Sequence, residues 1–351
     1  MSAFALYRLP HADHYVRLEG TTRQLLSCNQ LNGVSGFVVA PFEVRPDQPI
    51  VVISSDAVWN EELRMKNEES TALALPFETA VANSSLRDAS FSNYAIDFAN
   101  FHAQLRLGVF RKIVLARCAC EPLPAGTSPE RLFLRACQLY PRMFVALVYT
   151  PQSGMWLTAT PEILLQGHGH DWRTIALAGT MRLEGEQLSG EGENVTWSTK
   201  NIEEQRIVAT YIAECLEQFS NDFREEGPRT VRAANLVHLR SDFIFKLPDT
   251  DRLGSLLYAL HPTPAVCGLP KREAFRFITR NEHTPRCYYS GFVGMLDPQA
   301  DTHLYVALRC MSIGDHHCRL YAGGGLLKDS QLEQEWQETE AKLETMRRLI
   351  C

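Results

Sequence analysis

The stretch HCRLYAGGGLL, residues 317–327, decides the fold. A glycine run after an apolar segment either opens a helix around a phosphate or continues a strand. Here YYSGFVGML (288–296) and HLYVALRCMSIG (303–314) come just before it, in hairpin-like succession, and two leucines close it. The run therefore belongs to a strand, and nucleotide binding is weakly supported. No G-x-G-x-x-G leads from a strand into a helix, and the chain has no P-loop sequence. Strands that follow strands, interrupted by a few long helices, predict an α+β protein rather than a doubly wound sheet.

Upstream, GFVVAPFEV (36–44) and PIVVISSDAVW (49–59) read as strands, and the polar stretch 64–90 is the one plausible subdomain border. YAIDFANFHAQLRLG (94–108) places Tyr94, Phe98, Phe101 and Leu105 on one helical face, closed by Gly108. KIVLARCACEPL (112–123) reads as a buried strand. MFVALVYT (143–150), GMWLTATPEILLQG (154–167) and WRTIALAGTMRLEG (172–185) read as three more. A second long helix spans 199–219, with Ile202, Val208, Tyr211, Ile212 and Cys215 near helical spacing, and a third occupies 332–346.

The chain has 351 residues, 45% hydrophobic and 22% charged, with net charge -6. That balance gives no basic field for nucleic acid or an anionic membrane surface. No apolar run approaches the ~18 residues of a membrane span, and the first residues lack a basic start followed by an apolar block, so the expectation is a cytoplasmic protein. With no exposed apolar helix left over, the expectation is also a monomer. The ten cysteines include Cys118 and Cys120 two apart on a strand, a spacing compatible with metal binding. There is no C-x-x-C and no second pair at zinc spacing, so scattered thiols in a reducing compartment are expected, without disulfides.

Two helices carry the chemistry-bearing charges. In the last helix Glu335, Glu338 and Lys342 fall on one line. In the second, Lys200 and Glu204 lie four apart, with Glu203 beside them. Each helix read alone is equally a solvated face. Read together they offer carboxylates for one divalent cation, and a few oxygen ligands completed by water suit magnesium. Lys112 begins an apolar strand and Glu162 stands just before ILL. A charge at the edge of a buried run is costly unless paired or functional, and a snorkelling strand-end charge is the plainer reading.

Nine segments then occur in order: KIVLAR (112–117), TATPEILL (158–165), LAGTMR (177–182), KNIEEQRIV (200–208), LHPTPAVCGLPK (260–271), YYSGFVG (288–294), YVALRCM (305–311), YAGGGLL (321–327) and EQEWQETEAKL (333–343). Together they resemble the chorismate-utilising enzymes: isochorismate synthases, salicylate synthases, anthranilate synthase large subunits and aminodeoxychorismate synthases. The resemblance covers about residues 90–351, with residues 1–90 as a shortened N-terminal subregion of the same fold. It implies the chorismate-binding, aminodeoxychorismate synthase-like α+β fold, with two large antiparallel sheets flanked by helices, and a magnesium site. Carried over by motif, Glu204 and Glu338 are the metal ligands, with Glu335 hydrogen-bonding beside them, and magnesium holds the ring carboxylate of chorismate. Lys342 helps balance that carboxylate. Arg309 and Tyr289 resemble the pair gripping the pyruvyl carboxylate, helped by the backbone of Gly323, Gly324 and Gly325. His238, Gly179 and Thr180 lie near the substrate by the same resemblance. A core histidine is the plainer reading of His238.

Two departures stand out: Glu204 is followed by Gln205 where the family usually has histidine, and Asn201 stands where acidic residues are common. Ala178 occupies the position of the lysine nucleophile of the amine-using branch. Ala265 occupies the position that anthranilate synthases and many salicylate synthases fill with threonine. Ala178 thus disfavours covalent amine chemistry, and Ala265 resembles the isochorismate synthases, in which water adds at ring carbon 2 and the carbon 4 hydroxyl leaves, with Lys112 as general base and Glu162 as general acid. The alternatives are a salicylate synthase, an anthranilate synthase component, and a non-catalytic binding protein. Menaquinone and catechol siderophore synthesis both begin with isochorismate.

Overall fold

A computed structural model describes residues 3–63, 91–182, 195–233 and 236–350, so the border expected at 64–90 lies outside the described residues. The chain opens with strands β1 (Ala3–Arg8), β2 (His14–Leu25), β3 (Gly36–Ala40) and β4 (Ile50–Glu62). Helix α1 (Phe91–Arg106), β5 (Lys112–Pro122) and α2 (Pro129–Leu139) follow, then β6 (Phe144–Thr150), β7 (Gly154–Thr160), β8 (Ile163–His168) and β9 (Asp171–Arg182). Next come α3 (Thr199–Leu216), β10 (Phe223–Ala233), β11 (Leu236–Lys246), α4 (Leu253–Leu260), β12 (Gly268–Leu269) and α5 (Lys271–Asn281). The last elements are β13 (Phe292–Leu296), β14 (Thr302–Val306), β15 (Cys310–Ile313), β16 (His317–Leu326) and α6 (Leu332–Ile350).

The family resemblance implies two sheets. The structure joins all these strands in one ladder, in the order β10-β11-β9-β8-β14-β13-β3-β4-β2-β1-β6-β7-β15-β16-β5-β12. Its pairings are antiparallel, and the ladder folds over on itself to make two layers. In the middle of the ladder β2 and β4 shift register at Glu19/Gly20; an extra residue there kinks a strand and strengthens its twist. One core fills the space between the layers. Phe37, Val39, Ile175 and Tyr305 reach it from one half, and Ala5, Tyr7, Phe144, Ala146 and Trp156 from the other. Phe144 stacks on Tyr305 with centroids 4.2 Å apart, and Tyr7 meets Phe37 at 5.3 Å. Each such pair is worth about 0.5–1.5 kcal/mol beyond its burial.

Strand alternation sends every second side chain outward, where helices cover it. Val145 and Leu147 pack under Phe133 and Ala136 of α2 and under Leu343 and Met346 of α6. Across the molecule, Val208 and Ile212 of α3 and Leu253 and Leu256 of α4 cover Ala176 and Phe243. The aromatic face read for α1 is buried as expected, against Ile113, Leu115 and Ile278, and Gly108 takes φ +74° just past its end. No helix of the described residues is long and apolar enough to cross a membrane. No disulfide joins the described cysteines.

Two apolar runs that read as single strands each split in two. Residues 154–167 become β7 and β8, and residues 303–314 become β14 and β15. In both cases the first strand and the second belong to different layers. The chain crosses between layers at Pro161–Glu162 and again at Ala307–Arg309.

Candidate active site

The two crossings lie side by side and put charged side chains where strands would put apolar ones. Pro161 lacks the N–H that a ladder needs, so β7 ends before it. Val306 N–H donates to Glu162 O at 2.9 Å, and Ala159 N–H donates to Arg309 O at 3.0 Å, tying the crossings together. Arg309 takes φ +45°, an uncommon backbone for a residue with a side chain. Glu162 is 2% exposed and lines a cavity beside the two crossings. Burial raises its carboxyl to about 7, against the opposing pull of Lys112, Arg309 and Lys342.

Lys112, fully buried at the start of β5, places Nζ 2.9 Å from Glu204 Oε1. Glu204 is held by α3, whose N-cap Ser198 accepts from Asn201 N–H at 3.2 Å. Burial pushes the Glu204 carboxyl up, but the ammonium groups of Lys112 and Lys200, with Lys342, outweigh it and hold it below its ordinary value. The glycine run of β16 makes room for these groups. A Cβ on Gly325 would stand 2.1 Å from Glu204 Oε1 and 2.7 Å from Lys112 Cε, and one on Gly323 would stand 2.8 Å from Tyr289 Oη. Gly324 faces the other way, and its Cβ would meet Glu335 Oε2 at 3.1 Å and Glu338 Oε1 at 3.6 Å. β15 pairs β16 only as far as Tyr321, so among the described residues the glycines keep one edge clear of a strand partner. Gly323 O uses that edge to accept from Lys342 Nζ at 2.8 Å.

The acidic line on α6 is thus not a solvated face. Arg117 sets the rotation of the helix: its Nε donates to Thr339 Oγ1 at 2.7 Å, and its guanidinium lies 3.7 Å from the centroid of Trp336. Glu335, 1% exposed, accepts from Lys200 of α3 through Oε1, while its buried Oε2 has no hydrogen-bond partner. Burial, then the charge of Glu338, raises the Glu335 carboxyl to about 7, with Lys200 opposing. Glu338 Oε1 accepts from Lys342 at 2.7 Å. Among the described residues no three His, Cys, Asp or Glu side chains form a ready-made metal cage. Magnesium commonly takes one or two carboxylates and leaves the rest to substrate and water. The acidic oxygens crowding Gly324 and Gly325, one of them unpartnered, fit that requirement.

The opposite wall comes from a bulge. β9 and β11 slip register between His238/Leu239, opposite Gly179, which takes φ +69°. Arg309 Nη2 lies 3.0 Å from His238 Nε2, and a guanidinium only donates. Nε2 must therefore accept, which leaves the ring proton on Nδ1 to bond Gly179 O at 3.1 Å. Burial, then Arg309 and Lys342, hold His238 well below its ordinary pKa. His238 is a neutral support for Arg309 and no proton donor at neutral pH. Gln205 explains the departure noted in α3. Its Oε1 accepts from Ala178 N–H at 2.9 Å, and its Nε2 donates to Ala176 O at 3.1 Å and Ser241 Oγ at 3.3 Å. One amide thus accepts and donates along the bulged strand.

The cavity wall unites Glu162, Gly179, Thr180, Glu204, His238, Ala265, Tyr289, Arg309, Gly323, Gly325 and Lys342. Lys112, Gly324, Glu335 and Glu338 are not part of the wall and stand against it through the contacts above. Sequence reasoning missed the apolar lining of Val114, Leu177, Val266, Leu308 and Tyr321. Tyr321 stacks on Tyr289 at 5.6 Å.

Residues 32–351 match the family described as chorismate binding enzyme, and the chain belongs to it. The match reaches back well before residue 90. The chain is 29% identical over 238 residues to the isochorismate synthase EntC of Escherichia coli (strain K12), covering 67% of this chain and 61% of that protein. It is 32% identical over 253 residues to a salicylate biosynthesis isochorismate synthase of Pseudomonas aeruginosa, covering 71% and 52%. The chain thus spans between half and two thirds of the length of these curated relatives. The solved menaquinone-specific isochorismate synthase MenF of Escherichia coli superposes with a TM-score of 0.82 at 21% identity, over 100% of this chain and 89% of that one, and shares the fold.

Proposed function

We propose that this chain is an isochorismate synthase, converting chorismate to isochorismate with magnesium. The carrying observation is Glu162: a fully buried carboxyl facing the cavity, raised to about 7, close enough to feel Lys112. An acid that keeps its proton near neutral pH is what loss of a hydroxyl requires. Glu162 protonates the departing hydroxyl at carbon 4. Lys112, on β5, acting in its neutral amine form, takes the proton from the water that adds at carbon 2. One hydroxyl enters as another leaves and the ring double bonds shift, so the reaction is redox-neutral. Arg309, oriented by neutral His238, and Tyr289 grip the pyruvyl carboxylate, and Lys342 balances the ring carboxylate. Glu204 and Glu338, with Glu335 beside them, would hold the magnesium. When bound, that ion fixes the ring carboxylate and offsets its charge, which is positioning plus electrostatics. The small Ala265 and Ala178 leave room for water and offer no amine.

The test is incubation of purified protein with chorismate, with and without magnesium, and separation of the products. Isochorismate formed only with magnesium supports the reading. Salicylate with matching pyruvate makes the chain a salicylate synthase, and anthranilate formed with ammonium moves it to the amine-using branch. Absence of turnover leaves a binding protein. Glu338→Gln is expected to abolish turnover while the fold survives; persistent activity would sink the metal assignment.

A further inference from the structure

Two side chains outside the reaction hold its walls at a set distance. β5 is paired along one edge by β16, but on its other edge β12 covers only Lys112 and Ile113. The cover ends where Val114 N–H donates to Cys267 O at 2.7 Å. The next groups on that edge, Val114 O and Ala116 N–H, are met by side chains instead. Arg286 Nη2 donates to Val114 O at 2.8 Å, and Ala116 N–H donates to Glu282 Oε1 at 2.7 Å. Guanidinium and carboxylate join through two bonds, Nε to Oε2 at 2.6 Å and Nη2 to Oε1 at 2.7 Å. Arg286 Nη1 then crosses to Val266 O at 2.6 Å. Both side chains are 3% exposed.

An apolar pair of equal volume would fill this space without desolvating two charges. It would leave the strand edge unpaired and fix no distance. The ion pair does both, replacing a missing strand and tying β5, which carries Lys112, to the turn that carries Ala265. Val114 and Val266, the residues it joins, both line the cavity. We propose that Arg286, oriented by Glu282, is a positioning residue that sets the separation between the general base and the specificity position. This rests on the functional reading above.

The test measures kcat and KM for chorismate in Arg286→Lys, Glu282→Gln and a control, Arg8→Lys. Arg8 is an equally buried guanidinium bound to Tyr140 O, Met143 O and Pro141 O, none of which lines the site. A lysine cannot reproduce such a planar fork at either place. Arg286→Lys is expected to lower kcat about 100-fold with KM within about threefold, the size of a 1 Å misplacement of reacting groups. Arg8→Lys is expected to melt earlier yet keep kcat within about threefold, as a distant packing loss should. A folded Arg286→Lys with near-normal kcat overturns the proposal, and so does an equal loss in Arg8→Lys. If Arg286→Lys does not fold, Glu282→Gln decides: its amide keeps one oxygen for Ala116 but sets its NH2 against the guanidinium, so a roughly 10-fold loss in kcat is expected and an unchanged kcat overturns. A wild type inert toward chorismate overturns the functional reading and this one with it; an active wild type with an unaffected Arg286→Lys overturns this one alone.

Discussion

Glu162 lends itself to a pH experiment with a definite sign. Its folded value of about 7 lies above the ordinary 4.5. Between these values the unfolded chain has lost the proton and the folded chain keeps it. The stabilising contribution of this group is therefore greatest below about pH 4.5 and is lost as pH rises to about 7. Glu162→Gln should remove that dependence, so its melting temperature should gain on the wild type across this window. The same group as acid predicts a kcat/KM that falls on the alkaline side with an apparent midpoint near 7. Glu162→Gln should lower kcat by about 10²–10⁴-fold. A variant that melts and turns over like the wild type at every pH would remove Glu162 from the mechanism. Lys112 and Glu162 were legible in the sequence as charges beside apolar runs, and the α6 acids as one line on a helix whose role came from the family resemblance. Glu282 and Arg286 were not, because RNEHTPR has the polarity of a loop and only the missing strand beside β5 gives the pair its purpose.

At the scale of elements, the glycines of β16 make opposite predictions by direction. Gly325→Ala drives a methyl to 2.1 Å from Glu204 Oε1 and should lose about 100-fold or more in kcat. Gly324→Ala meets Glu335 Oε2 only at 3.1 Å and should be milder in turnover while weakening magnesium binding by titration calorimetry. Equal effects would contradict the placement of these residues on opposite faces. Most strands were legible from alternation, and α1, α3 and α6 from helical period. The splits of 154–167 and 303–314 were not, since apolar character continues through a layer crossing; Pro161 was the one local warning. Helix α2 carried a readable start, Ser128 accepting from Arg131 N–H with Pro129 following. The brief β12 and α4 had too few residues for any period to emerge.

For the whole molecule, the decisive fact is where the first strands go. β3, β4, β2 and β1 occupy the middle of the ladder, between β13 and β6. Neither layer is complete without them, although the motifs that carry the family resemblance begin only at residue 112. Removing residues 1–63 should abolish the near-UV circular dichroism of the buried aromatics as well as turnover. A shortened protein that keeps both would show the remaining strands able to close on themselves.

Among the described residues the ladder folds over without closing, and its two ends govern how the molecule behaves toward its own copies. One end, β12, is two residues long. The other, β10, reads FREEGPRTVRA: it slips register between Glu226 and Arg229 and pairs Arg224 with Glu226 at 2.9 Å. Charge, proline and a kink along an outer strand all oppose edge-to-edge growth of sheets between molecules. Replacing Arg224, Glu225 and Glu226 together by valine or threonine should leave the cavity intact yet raise light scattering at high concentration, the mark of an aggregation barrier removed.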